Sequence, residues 1–294
     1  MVKVVMLGSG ASIPSPTRSV SCVGIKYEGN VYLFDACEGV QKQLMTYKLS
    51  YSKVKLILLS HLHADHYLGL PGLAYTLSMN DYNGKLKIMG PKGTEEVINS
   101  LFIGKVPPFI EVSEFNGEEI VYEEKEFNIR AFKVEHINGS YGFVFEENEK
   151  RHFNEDKCHG LGIEGVMFSE LSENGKIKVG KKEILIDEVS ELTKGKKITY
   201  SGDTIYCDNV FKYGKNSDLL IHDATFTEQH SEDAKEKRHA TAKDAAKMAT
   251  FTNSKQLILT HISNRYKTGE DHLKEAKEIF ENSLVAEDGL EIEL

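Results

Sequence analysis

The chain has 294 residues, 40% of them hydrophobic, with a formal net charge of −9. That is enough apolar mass for one large domain or two small ones, and no apolar run is long enough for a membrane span. The acidic balance excludes nucleic-acid binding through bulk charge and leaves any such contact to a local basic patch.

In chain order, the N-terminal stretch MVKVVMLGSG is too short in its apolar part for a secretory signal and reads as a first strand. Short runs rich in Val, Ile and Leu predict strands at 2–7, 20–27, 31–34, 55–59, 86–89, 120–122, 127–134, 142–145, 197–200, 219–222 and 256–259. Helical patterns fall at 40–47, 70–80, 94–102, 242–251 and 271–280. This alternation predicts an α/β fold with large sheets covered by helices. No Pro-, Gly- or Ser-rich linker divides the chain, and no repeat is present.

Residues 146–191 differ, being dense in charge and weakly apolar. There Asn174-Gly175 is a tight-turn signal followed by Lys176, Lys178, Lys181 and Lys182. The segment reads as a solvated surface hairpin or as an arm that touches a polyanion. Cys22, Cys37, Cys158 and Cys207 show no C-x-x-C spacing. That points away from a cysteine zinc site or a disulfide framework and towards a reducing cytosol. His152, His159, His230 and His272 lie in polar stretches and read as solvent-facing, and His222 as a structural hydrogen-bond partner. Leu7-Gly8-Ser9-Gly10 reads as a turn after the first strand and not as a dinucleotide loop.

The chemistry gathers at SHLHADHYLG, residues 60–69. In an extended loop alternate residues point the same way, so His61 and His63 can face one metal. Asp65 and His66 come where the chain turns and can address a second metal beside it. Imidazoles with a few carboxylates suit Zn²⁺, with Mn²⁺ or Fe²⁺ as alternatives. His136, Asp203 and His261 each end a strand-like run (AFKVEH, KITYSGD, LILTH), where α/β folds collect functional groups. A carboxylate at Asp203 shared by two metals about 3.5–4 Å apart would favour a hydroxide nucleophile. Such a site suits hydrolysis of an ester, amide or phosphodiester.

The H-x-H-x-D-H motif with strand-end His, Asp and His resembles the metallo-β-lactamase superfamily. Further segments, in order LGSGASIPSPTRSVSC, LFDACEGVQKQL, SHLHADHYLGLPGL, GPKGTEE, YSGDT, LLIHDATF, RHATAKDAA, LTHISNRY and VAEDGLEIEL, are similar to those of the ribonuclease Z family along the whole chain. The resemblance implies a four-layer αββα sandwich in a single domain, 1–294, with an arm protruding at about 146–191. It implies two Zn²⁺ per chain: His61, His63 and His136 on one, Asp65, His66 and His261 on the other, and Asp203 shared. Asp65 would help to activate the water, while His239, oriented by Asp223, would protonate the leaving 3′ oxygen. Arg265 and Tyr266 would lie near the scissile phosphate. Arg18, in the loop that approaches the nucleotide in the family, reads either as a substrate contact or as a plain surface arginine. Asp35 reads either as a turn residue or as the partner of a ligand histidine's second N–H.

The implied activity is endonucleolytic removal of the 3′ trailer of precursor tRNA by a cytoplasmic homodimer with no membrane association. Hydrolysis of cyclic nucleotides or other small diesters on the same fold is the alternative. The sequence departs from the family pattern in four places. Asp223 stands where the family has Glu, Ala240 follows His239 where Ser is usual, and Ala64 replaces a Gly. The segment 146–191 contains no proline, and its lysines are interspersed with acids.

Overall fold

A computed structural model describes all residues, 1–294. The strands β1 (Val2–Gly8), β2 (Cys22–Tyr27), β3 (Asn30–Phe34), β4 (Val54–Leu58), β5 (Leu86–Gly90) and β6 (Ile110–Glu114) belong to a first sheet, and β7 (Glu119–Glu123), β8 (Phe127–Lys133) and β9 (Tyr141–Glu147) begin a second. Four short strands follow, β10 (Lys150–Phe153), β11 (Lys176–Val179), β12 (Lys182–Leu185) and β13 (Ser190–Thr193). The second sheet then resumes with β14 (Lys197–Tyr200), β15 (Leu219–Asp223), β16 (Leu257–Thr260) and β17 (Ser283–Val285), and β18 (Glu291–Glu293) returns to the edge of the first. Each large sheet has seven strands, in the orders β18-β1-β2-β3-β4-β5-β6 and β17-β16-β15-β14-β9-β8-β7.

Strands β3 to β6 run parallel, as do β14 to β17. Parallel strands are covered on both faces, which is why β4 and β15 read as nearly unbroken apolar runs. Helices α1 (Val40–Thr46), α2 (Leu70–Met79) and α3 (Thr94–Leu101) bury Leu44, Leu73, Leu77 and Ile98 against Leu33 and Ile57 of the first sheet. The two sheets meet through aromatic rings: Phe34 lies 5.1 Å from Phe143 and 5.7 Å from Tyr200, and Tyr27 lies 5.6 Å from Phe145. Gly8 is required where β1 ends, because a Cβ there would stand 1.7 Å from the Val20 carbonyl oxygen.

The chain forms two compact units, one of Met1–Glu124, Asn128–Glu146 and Lys196–Leu294, the other of Lys125–Phe127 and Glu147–Gly195. The smaller unit is more than a hairpin. It contains α4 (Glu155–Gly160), α5 (Met167–Asn174) and α6 (Ile186–Val189), and its own core of Cys158, Ile163, Leu171, Ile177, Ile184 and Val189. Widely spaced apolar residues among charges hid this core from the sequence reading. Asn174-Gly175 is not the hairpin turn: Gly175, at φ 70°, caps α5, and the β11–β12 turn falls at Gly180-Lys181.

In the larger unit, α7 (Asp208–Gly214), α8 (Ser231–Lys237), α9 (Ala242–Phe251) and α10 (Glu270–Lys277) complete the helices. Val210, Ala245, Met248, Ala249 and Ala276 pack on Leu220 and Leu257. Helix α9 starts at a reciprocal cap, in which Thr241 Oγ1 accepts from the Asp244 amide and the Asp244 carboxylate accepts from the Thr241 amide.

His272, expected at the surface, is fully buried on α10 with its ring 4.5 Å from Tyr266, on the same helix face as buried Ala276. Burial lowers its pKa from the ordinary 6.5 to about 4. The unfolded chain therefore takes up this proton first, and stability is lost as pH falls from about 6.5 towards 4. Between pH 7 and pH 5, denaturant titrations should show the wild-type chain losing about 2 kcal/mol more stability than His272→Leu; equal losses would remove His272 from the account.

Candidate metal centre and active site

The loop after β4 leaves the sheet with Ser60 and His61 still buried. His63 is extended, at φ −75° and ψ 145°, so it faces the same way as His61. A single 3₁₀ turn, Ala64–His66, then swings Asp65 and His66 inward. His136 follows β8, Asp203 follows β14, and His261 follows β16. All seven residues come together. Within each of three sets, His61–His63–His136, His61–His66–Asp203 and Asp65–His66–His261, one donor atom per residue lies within 4.8 Å of the others. Asp203 Oδ2 stands at the centre, 3.2 Å from His261 Nε2, 3.3 Å from His66 Nε2 and 3.8 Å from His61 Nε2.

The outer atoms of the rings fix their tautomers. Asp35 accepts from His66 Nδ1 at 2.8 Å. Ser60 Oγ donates to Asp35 and so accepts from His61 Nδ1 at 3.1 Å. Thr225 Oγ1 donates to Asp223 and so accepts from His261 Nδ1 at 2.8 Å. The Arg238 carbonyl accepts from His136 Nδ1 at 3.0 Å. Four Nδ1–H groups thus point outward, leaving four Nε2 lone pairs pointing at the cluster. His66 Nε2 and His261 Nε2 are buried with no hydrogen-bond partner, and His61 Nε2 faces His63 Nδ1 at only 2.9 Å. Convergent imidazole lone pairs beside two carboxylates suit a divalent metal ion.

The charges agree with that. Burial lowers the pKa of His61, of half-exposed His63 and of His136, favouring the neutral ligand form. Burial would raise the carboxyls, but His261 and His66 outweigh it and hold both Asp65 and Asp203 low. His66 goes the other way: burial would lower it, but Asp35 and then Asp203 raise it well above its ordinary value, so a bound ion would have to displace its proton.

Beside the cluster, His239 Nδ1 meets Asp223 Oδ2 at 2.7 Å. The shorter aspartate is well served there, also accepting from the amides of Thr204 at 3.0 Å and Thr225 at 2.9 Å. The His239 ring stacks 4.9 Å from His261 and lies 4.6 Å from His136. Burial depresses the His239 pKa, but Asp223 more than compensates and raises it to about 9. The pair with Asp223 therefore favours the doubly protonated, charged ring.

The other candidates part company. Arg265 lines a 310 Å³ hollow with Ser12, Phe226, Lys237 and His239, its guanidinium 4.8 Å from the Phe226 ring and paired with Asp233 at 2.6 Å. Tyr266 turns its hydroxyl to His230 Nδ1 at 2.8 Å and lines a neighbouring 240 Å³ hollow. Arg18 is not a plain surface arginine. It is 8% exposed, and its guanidinium donates to Ser9 Oγ at 2.8 Å and to the Ala286 carbonyl. Sequence reasoning missed Thr225, Arg238 and Ser12. The amide of Ser12 donates to Asp65 Oδ2 at 3.0 Å, and a backbone amide leaves no residue-type signal.

Paired mixed sheets between helices, with histidines and aspartates delivered at the strand ends, define a metal-dependent hydrolase of the β-lactamase superfamily. Residues 188–262 match the family model described as a β-lactamase superfamily domain, and residues 2–170 the model described as anti-Pycsar protein Apyc1. Ribonuclease Z of Methanosarcina acetivorans is 38% identical over 100% of this chain and 98% of its own, and ribonuclease Z of Nitrosopumilus maritimus 38% identical over 100% of both. The crystal structure of human tRNase Z, short form, superposes with a TM-score of 0.70 at 27% identity, covering 99% of this chain and 98% of that one. The Bacillus subtilis metallo-β-lactamase fold protein YhfI, at 19% identity and a TM-score of 0.73 over 99% of this chain and 98% of that one, shares the fold. The chain belongs to the ribonuclease Z family and, over its first 170 residues, to the family described as anti-Pycsar protein Apyc1.

Asp35 holds both the His66 and, through Ser60, the His61 tautomer. Asp35→Ala should therefore weaken divalent-metal affinity about 10–100-fold in chelator competition. Unchanged affinity would show that Asp35 serves only packing.

Proposed function

We propose that this protein is an endoribonuclease that removes the 3′ trailer of precursor tRNA, using two Zn²⁺ ions per chain. The observation that carries the reading is the 2.7 Å His239–Asp223 pair set beside the histidine–aspartate cluster. Hydrolysis of a lactam or thioester has no need of such a pair. Cleavage of a phosphodiester expels a ribose alkoxide, a poor leaving group that gains from a general acid.

In this reading His61, His63 and His136 hold one ion, Asp65, His66 and His261 the other, and Asp203 is shared. When bound, the ions supply Lewis-acid charge and lower the pKa of a water beside them. Asp65 would help to orient and activate that water, and the Ser12 amide fixes its carboxylate at 3.0 Å. His239 donates its proton to the leaving 3′ oxygen, and Asp223 keeps the ring charged and oriented. Lys237, on the 310 Å³ hollow beside His239, supplies positive charge for the nucleotide backbone, and Arg265 there would have to give up its pair with Asp233 to add to it.

The compact unit of 147–195 is the part proposed to hold the body of the tRNA, and the enzyme is read as a cytoplasmic homodimer. Four unpaired, buried cysteines favour a reducing compartment, and exposed Met45, Tyr75 and Met79 on α1 and α2 offer apolar surface for a second copy.

The test is incubation of the zinc-loaded protein with a 3′-extended tRNA transcript and, separately, with a small phosphodiester. Cleavage of the transcript at the end of the acceptor stem, leaving a 3′ hydroxyl, is expected. Turnover of the small diester alone would move the assignment to the small-substrate alternative. His239→Ala should slow transcript cleavage about 10²–10⁴-fold with its zinc content intact. Full rate, or loss of zinc, would refute the acid role.

A further inference from the structure

The C-terminal segment VAEDGLEIEL contains none of the cluster residues, yet hydrogen bonds build it into both large sheets. Here the chain crosses from one large sheet to the other: the Ala286 amide donates to the Leu259 carbonyl of β16 at 2.8 Å, and the Gly289 amide donates to the Met6 carbonyl of β1 at 2.7 Å. Asp288 lies between these two anchors. Its Oδ1 accepts from the Ser9 amide at 3.1 Å and Ser9 Oγ at 2.8 Å, and its Oδ2 from the Ser19 amide at 2.7 Å and Gln43 Nε2 at 2.9 Å. Ser9 opens the loop that joins β1 to β2, and Ser19 lies near its far end. One carboxylate therefore closes the base of that loop, and Arg18 adds a second tie by bridging Ser9 Oγ to the Ala286 carbonyl.

The same loop reaches the cluster at two points. Its tip gives the Ser12 amide to Asp65, with Ser12 in the left-handed region at φ 56°. Its flank pairs with the residue after His261: the Ala11 amide donates to the Ile262 carbonyl at 3.0 Å, and the Ile262 amide donates to the Ser9 carbonyl at 2.9 Å. His261 is itself left-handed, at φ 60°, a conformation that strains a non-glycine residue and persists only when its surroundings over-determine it. The hydrogen bonds on Ile262 are part of those surroundings, together with the Thr225 contact to the His261 ring.

We propose that Asp288 is a positioning residue for the catalytic centre, clamping the loop of residues 9–19 so that it orients Asp65 through the Ser12 amide and holds His261 through Ile262. This rests on the reading of Asp65 and His261 as ligands. The loop's last contacts with the cluster are backbone groups, the Ser12 amide and the two hydrogen bonds on Ile262.

The test uses the full chain with Asp288→Ala and with Asp288→Asn, which keeps one acceptor oxygen. In metal-free protein, amides of residues 9–19 and of Ile262 should exchange faster in Asp288→Ala than in wild type. Zinc affinity by chelator competition should fall about 10–100-fold. kcat on a 3′-extended tRNA transcript should fall with it at saturating zinc, with KM changed by less than about twofold. Asp288→Asn should fall between wild type and Asp288→Ala in each readout. If Asp288→Ala does not fold, Ser9→Ala, which removes one donor from the clamp, takes its place. Unchanged exchange in 9–19 overturns the proposal. So does a lowered melting temperature with zinc affinity and kcat intact, since that is a structural role alone. A wild-type chain that binds no zinc refutes the ligand assignment instead, and the exchange measurement still reads the clamp.

Discussion

Asp35 is the point through which the rest of the site is held. Its carboxylate is fully buried and receives the Ser60 amide at 2.8 Å, Ser60 Oγ at 2.9 Å, the Tyr200 hydroxyl at 2.8 Å and His66 Nδ1 at 2.8 Å. Those donors come from the end of β14 in the second sheet and from the loop after β4 in the first. A buried charge that loses its partners costs about 3–5 kcal/mol. The two sheets can thus approach only in the arrangement that brings Tyr200, Ser60 and His66 to this one residue. Phe34, stacked on Tyr200 and tilted against Phe143, packs beside it.

Everything at the cluster is assembled on that frame in layers. The inner atoms are imidazole nitrogens and carboxylate oxygens gathered within 4.8 Å of one another in each set. The outer atoms are anchored by residues with no chemistry of their own: Ser60, Thr225 and the Arg238 carbonyl. Thr225 does double duty, linking His261 to the carboxylate that serves His239. The part proposed to bind metal and the part proposed to move a proton are therefore mechanically one object. A displacement at His261 would be felt at His239, whose ring is stacked on it.

Much of the fold was legible because buried parallel strands are unbroken apolar runs. Each predicted run became a strand within a residue or two of its expected ends, and the helices over 40–47, 70–80, 94–102 and 242–251 lie where the 3.6-residue pattern put them. The elements that escaped notice are polar or very short. β11 to β13 and α4 to α6 bury one residue each and β10 none, and β18 has only the edge of β1 to pair with. Their existence depends on partners remote in sequence, and no local pattern encodes that. His272 misled for the same reason, since its charged neighbours suggested solvent while the helix turned that one face inward.

By itself, the sequence determined the residue types of the site and their places at strand ends, since spacing in a motif such as His61-Leu62-His63-Ala64-Asp65-His66 and the end of an apolar run are local properties. It also determined the whole-chain family likeness. Only the tertiary structure decided which of those residues meet, and who holds them. Asp35 touching His66, Asp288 closing a loop 279 residues earlier, and a left-handed His261 kept in place by Ile262 are contacts between distant segments. Such contacts arise when hydrophobic burial folds two sheets together, and hydrogen-bond geometry then selects among the polar groups that burial has brought within reach.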